Sequence, residues 1–302
     1  MEQRLGRGDF ERSRGGRDGS SGTHVWSVCE GYELRRPANC DEGNVSGYVL
    51  VPSHAREPAN FGFWSSYEPL VDTPDLFLKF ARLHGADDAV GAMVGWVRAY
   101  GALGHGERPY QPGSPQQYRQ FWDAVDEAAS VLAKYEAVLN DDEDKAESLC
   151  LEKFPFGGSA GRLVKNLRDI PPDLALEIVT ETTAETVEKA CDGDYLRYAL
   201  ETATEAVEYM VRNYCVPSLR VEDGSRDASG VTAGWDFKSL LGAMYLQMYW
   251  LMASGSELAR CEYCGLLLSL ARPNPEGRKR RSDRRFCGDA CRQAHHRAKK
   301  ES

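Results

Sequence analysis

The chain lacks any apolar run long enough to span a bilayer. Its most apolar stretch, Trp235 to Met252, is interrupted by Asp236, Lys238, Ser239 and Gln247, so it reads as a buried helix with no membrane partner. Residues 1–23 hold mostly Gly, Arg, Asp, Glu and Ser without an apolar centre. They offer nothing like a secretory signal and predict a disordered arm. Histidine is scarce, with six in all and none from Gly265 to Phe286. No Gly-x-Gly-x-x-Gly and no Gly-Lys-Ser/Thr loop occurs, so the usual dinucleotide and phosphate cradles are missing.

These gaps leave little for an enzyme, and the chain is read as a non-enzyme. A nuclease of the HNH kind needs a histidine base between its cysteine pairs, where this chain has none. Gly157-Gly158-Ser159-Ala160-Gly161 matches the spacing of a nucleophile elbow, but Pro155 disfavours the strand that should precede the serine. Only His295 and His296 follow it in the chain. A plain turn accounts for the glycines. His54, His84 and His105 are isolated, and His84 before Gly85 suits a helix C-terminus.

What is present is unevenly spread. The 302 residues are 42% hydrophobic and 27% charged, ordinary for one large globular domain with a small module attached. The net charge is -9. Yet residues 260–302 hold 12 Lys/Arg against 5 Asp/Glu, so the C-terminus is basic and the remainder strongly acidic. Such asymmetry suggests a basic tail that meets a polyanion. Nine cysteines include five scattered ones, Cys29, Cys40, Cys150, Cys191 and Cys215. An odd, dispersed set argues against a disulfide framework and for a reducing cytoplasm.

The other four cysteines carry the strongest chemical signal. Cys261-Glu-Tyr-Cys264 is followed after 22 residues by Cys287-Gly-Asp-Ala-Cys291. Two close pairs at that separation are what a four-thiolate zinc site needs, each pair delivered by one tight turn or helix start. Gly265 suits the knuckle's sharp turn. Leu266 to Leu270 predicts a strand, Arg284-Arg285-Phe286 a returning strand, and Asp289 to Lys300 a helix whose start carries Cys287 and Cys291 on one face. Four cysteines close the tetrahedron, so Zn2+ is expected to be structural. The open alternative is that His295 or His296 replaces one cysteine. Knuckle, hairpin and helix form a treble-clef plan.

The module resembles the C-terminal fingers of the CGNR-type zinc-finger proteins of bacteria, over about forty residues: Cys261, Cys264, the basic stretch before Phe286-Cys287, and Cys291. It departs from them in having Arg292-Gln293-Ala294 after the last cysteine and a second pair one residue shorter. The resemblance implies a mainly helical body, DNA binding and a regulatory role. Arg278, Lys279, Arg280, Arg281, Arg284 and Arg285 on the expected hairpin, with Arg292, Arg297, Lys299 and Lys300 on the helix, form a candidate nucleic-acid surface. Duplex DNA is the expected partner. A protein partner, or the chain's own acidic body, is the alternative.

Between arm and module, residues 24–256 are expected to form a helix-dominated body. Val25 to Leu34 and Val45 to Val51 predict two strands, and Pro52 to Asp72 an irregular linker. Helices are expected from Thr73 to Gly85, Asp87 to Tyr100, Ser114 to Leu139 and Asp194 to Tyr214, and from Trp235 to Ala253 at the centre. Ser114-Pro115-Gln116-Gln117 reads as a capping box. Gly91 and Gly95 suggest a close backbone approach, and Leu174 to Thr180 a strand. Val221 to Gly230 reads as a polar loop. Trp235, Tyr245, Tyr249 and Trp250 are read as core, with a small-molecule effector pocket as the alternative. The fold class is therefore mainly α, with a minor N-terminal strand element, residues 257–302 forming the basic zinc-finger module.

Overall fold

The architecture comes from a computed structural model that describes residues 25–29, 31–36, 45–53, 64–104, 115–151, 192–221, 231–254, 258–265, 267–269 and 285–301. The expectations for the N-terminal arm, Gly157 to Gly161, Leu174 to Thr180, His54, His105, Cys40 and Cys191 lie outside these residues. The protein is mainly helical with small strands. It divides into two compact units: residues 1–79, 86–120 and 209–302, and residues 80–85 and 121–208.

In the first unit the expected N-terminal strand is two strands, β1 (Trp26–Cys29) and β2 (Tyr32–Arg35), broken near Gly31. The stretch read as an irregular linker supplies β4 (Trp64–Tyr67), which pairs antiparallel with β1. β3 (Val49–Pro52) pairs with β2 and, on its other edge, with β5 (Gln116–Gln117). That last pairing overturns the capping-box reading. Gln116 is a strand residue, buried at 2% exposure, and its Oε1 accepts from the backbone N–H of Leu103 at 2.8 Å. Polar side chains that can satisfy a stray backbone donor outcompete a local cap.

Short helices α1 (Pro69–Asp72) and α2 (Leu76–Ala81) lead to α3 (Ala89–Tyr100). The Asp88 carboxylate caps α3 by accepting from the Gly91 N–H at 2.8 Å. Gly91 therefore stands beside its own cap, and a Cβ at Gly95 would meet nothing within 4 Å. Among the described residues, the atoms nearest a Cβ at Gly91 are those of the Asp88 side chain.

The close approach occurs elsewhere. β6 (Cys215–Val221) and β7 (Val231–Phe237) form an antiparallel ribbon on either side of the segment read as a polar loop, and β7 takes the residues read as the start of the central helix. That helix, α7, runs from Leu240 to Ser254. Trp235 and Asp236 lie in β7 because their strand pairs them with Pro217 and Val216. At Gly242 in α7 a Cβ would sit 2.7 Å from Tyr214 Cβ and 2.9 Å from the Tyr214 carbonyl oxygen. Only glycine lets the helix pass there.

α7 is buried over Leu240, Leu241 and Ala243 to Leu246, as its apolar sequence predicts. Tyr245 meets Phe77 edge to face with centroids 5.2 Å apart. Tyr249 and Trp250 are exposed, so the four aromatic residues do not assemble as one set. Gln247, one of the polar interruptions, bridges two short helices' backbone. Its Nε2 donates to the Pro69 and Thr73 carbonyls, and its Oε1 accepts from Phe77 N.

The second unit is helical. α4 (Tyr118–Leu139), α5 (Glu143–Leu151) and α6 (Tyr195–Tyr214) are the helices whose residues build it. Asp142 caps α5 and Asp194 caps α6 through N–H groups three residues on. Ala137, Ala146, Cys150 and Ala199 form a small buried cluster, where alanines allow close packing. Phe80 packs on Phe121. His84 makes a 2.9 Å contact with Asp126, next to Gly85 in the left-handed region.

No helix among the described residues is long and apolar enough to cross a membrane.

Candidate metal centre

The C-terminal segment begins with β8 (Leu258–Arg260), which pairs antiparallel with β9 (Leu267–Ser269). The strand expected at Leu266 to Leu270 is present as β9 and pairs with β8; Arg284, expected in a returning strand, lies outside the described residues. Arg285 and Phe286 lie outside any strand. The knuckle is thus the tip of a hairpin. Its turn closes through the Gly265 N–H, which donates to the Cys261 carbonyl at 2.8 Å, and Gly265 adopts φ 73°. That left-handed geometry is the reason for glycine at this position.

The second half is α8 (Asp289–Glu301), with Cys287 just before it and Cys291 in its first turn. The two halves meet backbone to backbone where Glu262 N–H donates to the Arg285 carbonyl at 2.9 Å. All four sulfurs lie within 4.8 Å of one another. Cys264 and Cys287 sulfurs are 3.7 Å apart, and those of Cys287 and Cys291 3.3 Å. Four sulfurs around an ion at the usual Zn–S bond of about 2.3 Å stand about 3.8 Å apart. The donor set therefore fits a tetrahedral cation. Cys261 is buried at 2% exposure, Cys264 is exposed, and the other two are half-buried.

The electrostatics suit a thiolate cage. Burial opposes ionisation of Cys261, but backbone N–H groups of Cys264, Cys287 and Tyr263 outweigh it and bring the thiol down to about 6. The Cys287 N–H reaches Cys261 Sγ at 3.4 Å. Cys287 is pushed up to about 12, by burial first and then by the neighbouring sulfurs. At Cys291 the Cys287 thiol favours ionisation, yet burial and the sulfurs of Cys264 and Cys261 prevail and raise it. Cys261 thus sheds its proton before Cys287 and Cys291, and a bound cation must displace theirs.

His295 and His296 were the open alternatives as ligands. The cluster consists of the four cysteines alone. His295 packs on Phe286 at 5.1 Å between ring centroids, so Phe286 braces α8.

Of the ten basic residues proposed to meet nucleic acid, Arg278, Lys279, Arg280, Arg281 and Arg284 lie outside the described residues. Arg285 is exposed, but its Nε and terminal nitrogen grip both oxygens of Glu262. These hydrogen bonds hold the Glu262 carboxyl below the usual carboxylate range. Arg292 pairs with Asp289 at 2.8 Å. Arg297 and Lys299 are exposed on α8, and Lys300 lies near its end. Both ion pairs are internal to the module. Glu262 was not anticipated as a partner, since two residues of opposite charge 23 positions apart carry no local signal.

No protein-family model, no curated protein and no solved structure matches this chain.

Proposed function

We propose that the C-terminal module is a structural zinc finger that presents a basic surface to nucleic acid, with duplex DNA as the partner and regulation of that DNA as the role. The observation that carries this reading is the convergence of four sulfurs from two separate turns, in a segment with an excess of Lys and Arg. Cys261, Cys264, Cys287 and Cys291 would hold Zn2+. Bound there, the ion supplies a cross-link and no open coordination position, so no catalytic step is assigned to it.

The chain's own residues do the rest. Cys261, Cys264, Cys287 and Cys291 fix the knuckle against α8, and Glu262 with Arg285 clasps the same two segments. Exposed basic residues then attract phosphates. The resemblance to CGNR-type treble-clef fingers implies the same partner.

A second reading, a protein-docking finger without nucleic acid, is favoured by one observation: Tyr263 at the knuckle is 52% exposed, and exposed tyrosines are common anchors in protein interfaces.

The test is a salt titration of duplex-DNA binding by the zinc-loaded chain beside Cys287→Ser. Binding that weakens steeply with salt and is lost in the variant supports the first reading. Absence of binding at low salt removes it.

A further inference from the structure

α8 has two unlike faces. Cys291, Ala294 and His295 are half-buried, with Cys291 in the metal cluster and His295 on Phe286. Arg292, Gln293, His296, Arg297 and Lys299 are exposed. Gln293, His296 and Arg297 fall at i, i+3 and i+4, so they share one face. Arg292 and Lys299 flank it. The carboxylates of the helix stand at its ends, Asp289 and Glu301, and none interrupts the stretch from Arg292 to Lys299.

The chemistry of that face is more specific than a positive charge. Lysines alone would serve a phosphate backbone. Glutamine and arginine are the side chains that form paired hydrogen bonds with adenine and guanine edges. An α-helix with its side chains is about 10–12 Å across, and the major groove of B-form DNA is about 12 Å wide. Thirteen residues give α8 a length of about 20 Å, enough to lie along the groove. The inner face is pinned by the cysteine cluster and Phe286, so the outer face is offered in a fixed orientation.

We infer that α8 is a recognition helix that reads base edges in the major groove through Gln293, His296 and Arg297, with Lys299 on a flanking phosphate and Arg292 held by Asp289 at the helix start. The inference rests on the nucleic-acid reading of the module and adds sequence selectivity to it.

The test is selection from a random-sequence duplex pool by the full zinc-loaded chain, with a random single-stranded pool in parallel. An enriched duplex motif containing guanine or adenine is expected. Arg297→Ala should then relax preference at one base position by about ten-fold or more while leaving the salt slope nearly unchanged. Lys299→Ala should weaken all sequences alike and flatten the slope. Zinc content of each variant, equal to that of the parent, shows that the finger is intact. Duplex binding without any enriched motif overturns the recognition helix and leaves the nucleic-acid reading standing. So does a preferred motif that Gln293→Ala, His296→Ala and Arg297→Ala all leave unaltered. Preference for the single-stranded pool also overturns it, and binding to neither pool removes both readings.

Discussion

Cys29 and Cys215 in the body point their thiols at backbone carbonyls, those of Gly31 at 3.1 Å and Gly242 at 3.2 Å. In the C-terminal module the sulfurs point at one another, and Cys261 accepts a backbone N–H. The same side chain is a buried weak donor in one region and an acceptor poised for a cation in the other. Cys215 and Cys261 are both buried, but the peptide groups around them differ. Burial alone pushes the Cys215 thiol up to about 12, while at Cys261 converging N–H groups outweigh burial and bring the thiol down to about 6.

The largest expected effect breaks the module's half of this comparison. Cys264→Ser should abolish stoichiometric zinc binding and release the metal's contribution to folding, roughly 10–16 kcal/mol for structural zinc sites. The loss should stay local. Amide exchange would rise over residues 258–265 and 285–301, while the α7 amides keep their protection. A body that unfolds along with the finger would show that the two regions are not separable in this way.

The body depends instead on fit. Gly242→Ala sets a methyl against the Tyr214 backbone, 2.9 Å from its carbonyl oxygen, and the same turn of helix supplies the carbonyl that receives the Cys215 thiol. A forced backbone shift of this kind costs about 1–3 kcal/mol. Urea denaturation should show the midpoint falling while zinc content is unchanged. An unaltered midpoint would mean that α7 can move away from Tyr214 freely, and that the packing around Cys215 is looser than its geometry indicates.

The two regions also differ in how far the sequence disclosed them. The metal cluster was legible because ligand spacing is a local pattern: Cys261 with Cys264 and Cys287 with Cys291 each fit within one turn. The long helices were legible from their period, while the caps Asp88 and Asp194 emerge from the structure. The β6–β7 ribbon was not legible, because Trp235 continues an apolar run into α7. Strand pairing between Pro217 and Trp235 is a non-local fact. Gln116 misled for a related reason, since a residue that suits a helix start was needed more by the Leu103 N–H. Glu262 and Arg285, 23 positions apart, meet only after the chain has folded.

The smallest effect sharpens the comparison without damaging either region. Alkylation follows the thiolate, so in metal-stripped protein the two cysteine sets should separate by pH. Cys215, with its thiol near 12 and its side chain enclosed, should stay unmodified through mildly alkaline pH, and mass mapping would report it intact. Cys261 should become modifiable once the pH exceeds about 6, at a rate slowed by its burial. A thiol whose pKa is depressed on folding contributes stability above its ordinary pKa and loses it as the pH falls through the folded value. Protons compete with zinc for the thiolates, so the loaded module should hold its ion at neutral pH and release it on acidification, read with a chromogenic chelator. Release at neutral pH, or Cys215 labelling as fast as Cys261, would show that burial at one site and N–H groups at the other do not set the contrast between the two sets.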